Sequence, residues 1–179
     1  IGLIGEKCGK IIPHFSWEID GQRSILLNET ELPVNFNGDE KIWDVADIQA
    51  GLPNLSPQTQ NEFIPQALNL QVIEQAISFT KGCYIGQETV ARAKYRGANK
   101  RAMFVFKAQT QQEAEIGSEI EMQIESNWRK TGTITSAVNL DGVLWLQVVM
   151  NNDTTAKQKF RLLNGVPLEY VVLPYSLGE

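Results

Sequence analysis

The stretch TKGCYIGQE, residues 80–88, holds the side chain best suited to covalent chemistry. Cys83 stands between Gly82 and Gly86, two residues after Lys81 and five before Glu88. The two glycines let the backbone bend and approach a ligand closely. Residues 87–94 (QETVARAK) have a helix-favouring composition, with Gln87 and Glu88 suited to a first turn. Cys83 is therefore expected just ahead of a helix N-terminus, where the helix dipole and Lys81 favour thiolate over thiol. The same spacing also accommodates a buried structural cysteine beside a glycine turn. Spacing gives no zinc site, because there is no CxxC pair and Cys8, the other cysteine, is remote. His14, the one histidine, lies 69 residues upstream, and nothing in the sequence pairs it with Cys83.

A charge anomaly follows the cysteine. Arg92, Lys94, Arg96, Lys100 and Arg101 fall within ten residues, and no acid occurs between Glu88 and Glu113. In a chain of net charge −5 this run is a local positive patch suited to phosphate or a polyanionic tail. Tyr95 sits among the cations, where it could stack on a base or ring. A solvated helix end, its cations complementing the dipole, is the plainer reading of the same residues.

The elements that must position these groups divide the chain in two. Residues 1–96 have a mixed pattern. IGLIG reads as a buried strand ending in a glycine turn, residues 6–14 as a short helix stopped at Pro13, and residues 24–28 (SILLN) as a strand. Residues 35–40 (NFNGDE) read as a loop. Residues 42–49 repeat apolar side chains at helical spacing, with Gly51 and Pro53 as the stop. Residues 52–71 carry three prolines and many amides, the composition of a long ordered loop.

After a soft boundary near Gly97 the pattern becomes β throughout. Strands are expected at 102–108, 119–125, 132–138, 143–149, 159–163 and 168–173, with Asp141-Gly142 as a hairpin turn. Six short strands of this kind predict a small antiparallel barrel or sandwich.

With 179 residues, 42% of them hydrophobic, the chain can bury a core as one large domain or two small ones. Its acidity excludes a general nucleic-acid binder. Two cysteines are not a secreted disulfide framework, no apolar run is long enough to span a membrane, and no signal peptide is visible. A reducing cytoplasm is the default. Because the sequence opens at Ile1 inside a strand, a fragment of something longer is expected, a processed start being the other reading. The first segment should then expose apolar surface around residues 1–4 and 24–27.

KGCYIGQE followed by VARAKYRGANKR closely resembles the signature of the YgfZ family of folate-binding, tRNA-modification-associated proteins. EFIPQALNLQ, VVMNNDTTAK and LPYSLGE look like the same family. The resemblance runs from Trp43 to the C-terminus, and more loosely to Ile1. It implies a fold shared with the T-protein of the glycine cleavage system, a tetrahydrofolate-dependent aminomethyltransferase. This chain would be the second half of that fold. The implied class is α+β: residues 1–96 an incomplete folate-binding-type domain, residues 97–179 a small antiparallel β-barrel.

The resemblance matches Cys83 to the motif cysteine, where the T-protein has an aspartate. It matches Trp43 to a folate-associated tryptophan, whose indole suits a flat pterin or benzoyl ring. Read as residues alone, Trp43 could equally be a core aromatic of an amphipathic helix. Gln49 stands where the T-protein has a pterin-contacting glutamate, and it offers hydrogen bonds but no carboxylate. Trp43, Gln49, Lys81 and Tyr84 are the candidate folate-binding residues, and tetrahydrofolate or a derivative is the implied cofactor.

The leading expectation is a folate-binding accessory protein that supports tRNA modification and iron–sulfur enzyme maintenance. Cys83 would serve as redox group, one-carbon acceptor or transient cluster ligand. Partners would be tRNA-modifying or iron–sulfur enzymes, with tRNA contact through the cations from Arg92 to Arg101. A folate-dependent aminomethyltransferase and a plain RNA-binding module are the alternatives. Gln49 and the cysteine in place of aspartate weigh against the transferase.

Overall fold

The computed structural model describes residues 2–4, 15–21, 23–27, 29, 38–74, 76–78, 81–82, 84–95 and 99–177. The expected helix at 6–14, Cys8, His14, Cys83, Arg96 and Gly97 lie outside these residues. Two compact units emerge, Ile1–Trp43 and Asp44–Glu179. Within the second unit the Asn69 side chain donates to Met103 O, and the Gln147 side chain donates to Leu52 O.

The first unit is a three-stranded antiparallel sheet in the order β1 (Gly2–Ile4), β3 (Arg23–Leu27), β2 (Phe15–Asp20). Strand β2 was not expected. Its alternation of Phe15, Trp17 and Ile19 with polar residues, ahead of Asp20-Gly21, is the signal that would have found it. Leu26 is buried at 2% exposure, while Ile4, Trp17, Ile19 and Leu27 are exposed. Of the described residues in 1–4 and 24–27, Ile4 and Leu27 are exposed and Leu26 is buried, so β1 is not the buried strand expected.

Helix α1 (Glu40–Gln49) starts where Asp39 Oδ1 accepts a hydrogen bond from the Lys41 amide at 2.9 Å, the grammar of an N-cap. Glu40 therefore opens the helix and does not belong to the expected loop. At the other end the Gly51 amide donates to Ile48 O and the Leu52 amide to Asp47 O, both at 3.0 Å. This pair is a Schellman stop, with Gly51 in the left-handed region at φ 66°. Val45 and Ile48 are buried, as the helical spacing required.

The second unit is built on a seven-stranded antiparallel sheet in the order β6-β5-β9-β10-β4-β8-β7. In sequence these are β4 (Arg101–Gln109), β5 (Ile120–Ile124), β6 (Asn127–Thr131), β7 (Thr133–Leu140), β8 (Val143–Asn151), β9 (Phe160–Leu162) and β10 (Pro167–Val171). Six of them overlap the expected strands. The seventh, β6 (NWRKT), has one apolar side chain in five residues and escaped a reading based on alternation. Asp141 and Gly142 both have positive φ, 51° and 80°, the geometry of a type I′ hairpin between β7 and β8.

Inward side chains of alternate positions form one core that includes Phe104, Phe106, Ile134, Leu146, Val148 and Phe160. Phe106 packs edge-on to Phe160 at 4.9 Å and to Tyr170 at 5.8 Å. The expected barrel is corrected in one respect: the sheet is an open order, not a closed ring. Its two ends approach each other where Gly117 N donates to Ile134 O and Ile134 N donates to Ser118 O, both at 2.8 Å. Two bonds join the ends there, without a ladder. Among the described residues no helix is long and apolar enough to cross a membrane.

Candidate functional site

The turn that carries the motif lies between residues 78 and 87. The Lys81 amide donates to Ser78 Oγ at 3.3 Å, and the Lys81 side chain is exposed. Gly86 takes φ 91°, a conformation that side-chain-bearing residues rarely adopt, and its amide-linked turn leads directly into α2 (Gln87–Tyr95). Tyr84 is half-exposed and Ile85 is fully exposed, an unusual position for an isoleucine. Nothing lies within 4 Å of where a side chain would begin at Gly82 or Gly86. The expected helix after the motif is thus present, and Gly82 and Gly86 are exposed ahead of it. Lys81 and Tyr84 share this turn.

Among its described side chains, helix α2 buries Val90 and Ala93. It is tethered by Gln66 Nε2, which donates to Val90 O at 2.8 Å from the 3-10 helix Pro65–Leu68. Arg92 is paired with Glu88 one turn earlier, on an exposed face. Both side chains are exposed, so water screens the pair and Arg92 stays within the positive run. Lys100 and Arg101 are exposed at the start of β4.

Trp43 and Gln49 occupy the two ends of α1. Trp43 is half-buried within the first unit, with the Arg23 guanidinium 5.1 Å from its ring centroid. A Cβ added to Gly2 would meet the indole at 2.7 Å, so β1 lies close against the ring. Both readings of Trp43 contribute here: it is a packing residue of its unit, and it is a partly accessible aromatic surface beside a buried cation. Gln49 is exposed at the last turn of α1.

A polar joint missed by the sequence reading ties three of the family-like segments together. Asn69, fully buried and left-handed at φ 61°, donates through Nδ2 to Met103 O at 2.7 Å and accepts at Oδ1 from the Met103 amide at 3.1 Å. It also donates to the Tyr175 hydroxyl at 3.3 Å, and that hydroxyl donates to Gly51 O at 2.7 Å. A side chain at Gly51 would strike the Tyr175 ring at 2.7 Å. AGLP, PQALNL and LPYS thus meet at one point. Burial pushes the Tyr175 hydroxyl above its usual range, and the hydrogen bond with Asn69 opposes that. Gln147 Nε2 adds a bond to Leu52 O at 2.7 Å. No signal short of the fold would have singled out Asn69, since amides abound in residues 52–71, whereas Gln147 stands out as the one amide in the apolar run VLWLQVV. Among the described residues no group of three acidic, histidine or cysteine side chains could hold a metal ion.

Residues 99–165 match the family described as the YgfZ β-barrel domain. The whole chain is 86% identical to an uncharacterized protein of Haemophilus influenzae, of which it covers 64%. It is 46% identical over 79% of its length to a tRNA-modifying protein YgfZ of Serratia proteamaculans, covering 43% of that protein. It is 43% identical over 93% of its length to a tRNA-modifying protein YgfZ of Yersinia pestis, covering 53% of it. The chain therefore spans about half the length of the YgfZ relatives it matches.

Proposed function

We propose a function from the premise that this chain carries the β-barrel domain of the YgfZ family: it serves tRNA modification as part of a YgfZ-type protein. The observation that carries the proposal is the identity of 43–46% with tRNA-modifying YgfZ proteins, over 79–93% of the chain. The finer reading is a folate-binding accessory protein of a reducing cytoplasm. Tetrahydrofolate would be held by Trp43, Gln49, Lys81 and Tyr84. The Cys83 thiol would act beside it in support of tRNA-modifying and iron–sulfur enzymes.

The chemistry of these side chains supports that assignment. Lys81 is exposed and can pair with a carboxylate of a glutamate tail. Tyr84, half-exposed on the same turn, offers a ring and a hydroxyl. Gln49 offers both a donor and an acceptor to a pterin edge. The open backbone at Gly82 and Gly86 admits a ligand without steric conflict. A transferase reading gains nothing further here, because Gln49 is no carboxylate and no described acid stands in the motif turn ahead of Glu88.

Two measurements test the proposal. Intrinsic-fluorescence titration with tetrahydrofolate should show saturable binding, weakened roughly tenfold in Lys81→Ala and Tyr84→Ala together, by the loss of a charged and a stacked contact. In cells lacking the corresponding gene, the intact protein should restore modified tRNA nucleosides and Cys83→Ser should not. Absence of folate binding removes the folate reading; restoration by Cys83→Ser removes the thiol from the mechanism.

A further inference from the structure

A cleft of about 380 Å³ opens where the basic run enters the sheet. Lys100 and Arg101 from the start of β4, Glu119, Thr131 and Thr133 from either side of Gly132, and Asn151 at the end of β8 line it. The corner at Gly132 is tightly built: an added Cβ would meet Val148 Cγ1 at 2.7 Å and Met150 Cβ at 3.0 Å. The walls are therefore fixed by the core, and the cleft is a preformed feature of the sheet's end. Asn99 secures the entry, accepting from the Arg101 amide at 3.1 Å and donating to Arg101 O at 2.7 Å.

The charges in this cleft are unevenly committed. Glu119 is held by Lys130 at 3.3 Å, which offsets its charge. Among the described residues, neither Lys100 nor Arg101 has a carboxylate within ion-pairing distance. Two cations thus face a concave surface furnished with two hydroxyls and an amide. None of its described lining residues is aromatic, so the cleft has no platform for stacking a base. Phosphate oxygens suit the cations, and a ribose 2′-hydroxyl suits Thr131, Thr133 and Asn151.

We infer that this cleft is a backbone subsite for RNA, taking a phosphate and its ribose without reading the base. The inference rests on the tRNA reading above and gives that reading a location.

The test measures binding of labelled tRNA to the intact chain by fluorescence anisotropy across a range of salt. Lys100→Ala with Arg101→Ala should weaken binding about tenfold and lower the log–log salt slope by about 0.7–0.9, the value for one neutralised phosphate. Thr133→Val should weaken it two- to threefold with the slope unchanged. Arg129→Ala, which removes the same kind of charge from β6 outside the cleft, should change affinity less than twofold. Circular dichroism should show all four proteins folded alike. If the double variant binds as the wild type does, or loses no more than Arg129→Ala, the cleft is not the subsite and tRNA binding lies elsewhere. If the wild type binds no tRNA at all, the tRNA contact itself falls with it. Displacement of tRNA by micromolar adenosine monophosphate would overturn the inference in favour of a free-nucleotide pocket.

Discussion

The seven-stranded sheet and the loop layer of residues 52–72 belong to one unit but are held by different forces. The sheet closes over a continuous apolar core in which Phe106, Ile134, Leu146 and Val148 are wholly buried. The loop layer buries few apolar side chains, chiefly Ala67 and Leu68 against Met103 and Val149. Its shape comes instead from side-chain amides that bond to backbone groups across the fold: Asn69 to Met103, Gln66 to Val90, Gln147 to Leu52. A loop without its own ladder must satisfy its backbone in some other way. Here the solution uses single residues: Asn69 serves Met103 and Tyr175, and Gln66 and Gln147 make one bond each. Apolar burial spreads stability over many contacts, whereas these joints concentrate it in few.

That contrast can be broken or sharpened by substitution. The largest effect is expected from Phe106→Ala, which empties the centre of the sheet core and should cost about 4 kcal/mol. Chemical denaturation followed by tryptophan fluorescence would measure it, and sheet and loop layer should be lost together. Asn69→Ala should come next, at about 3 kcal/mol, because it leaves the Met103 amide and carbonyl without partners and puts alanine at positive φ. Amide hydrogen exchange should then show protection lost first at 66–72, with β8 and β10 intact. Uniform loss across the sheet would erase the distinction between the two regions.

Tyr175→Phe keeps the ring and removes both hydroxyl contacts, so about 1–2 kcal/mol is expected. The pH dependence has a definite sign. The folded state holds the hydroxyl proton more tightly than the unfolded chain, so this contribution is complete below the ordinary tyrosine value of 10.0 and is lost as pH rises beyond it. Alkaline destabilisation above that point should be smaller in Tyr175→Phe, as thermal melts across the range would show. Lys107→Ala breaks an exposed pair with Glu169 and should change stability by less than about 0.5 kcal/mol. A larger loss there would mean that the surface of the sheet carries more of its stability than its core suggests.

The same division explains what could be read from residues alone. Six strands, the hairpin at Asp141-Gly142 and both helices after residue 38 follow from periodicity and turn chemistry, because those patterns are made by the burial that creates the elements. Strand β6 did not follow: Trp128 is its one large apolar side chain, and the Arg161 guanidinium covers that ring at 4.1 Å. Open rather than closed strand order was equally illegible, since it depends on which edges meet. In the candidate site, the motif turn and the helix behind it were legible from glycine spacing and composition. The Asn69–Tyr175 joint was not, because a fully buried asparagine is written like any loop asparagine. Nor did the basic run disclose that Arg92 would be paired with Glu88 while Lys100 and Arg101 would flank a cleft.

The ends of the open sheet have one more consequence, for behaviour in a crowded solution. A sheet that does not close leaves strand edges that can recruit a strand from another molecule. At one end β6 carries exposed Arg129 and Lys130, charges that resist stacking against a copy of itself. At the other, β7 is occupied at Ile134 by the backbone of Gly117 and Ser118. Asn139, on the same strand, spends its side-chain amide on Thr110 O and Gln112 O, at 2.8 and 3.1 Å. Each end is thus guarded by a few residues, and segment 117–118 is where self-association through β7 would begin if its two backbone bonds were lost.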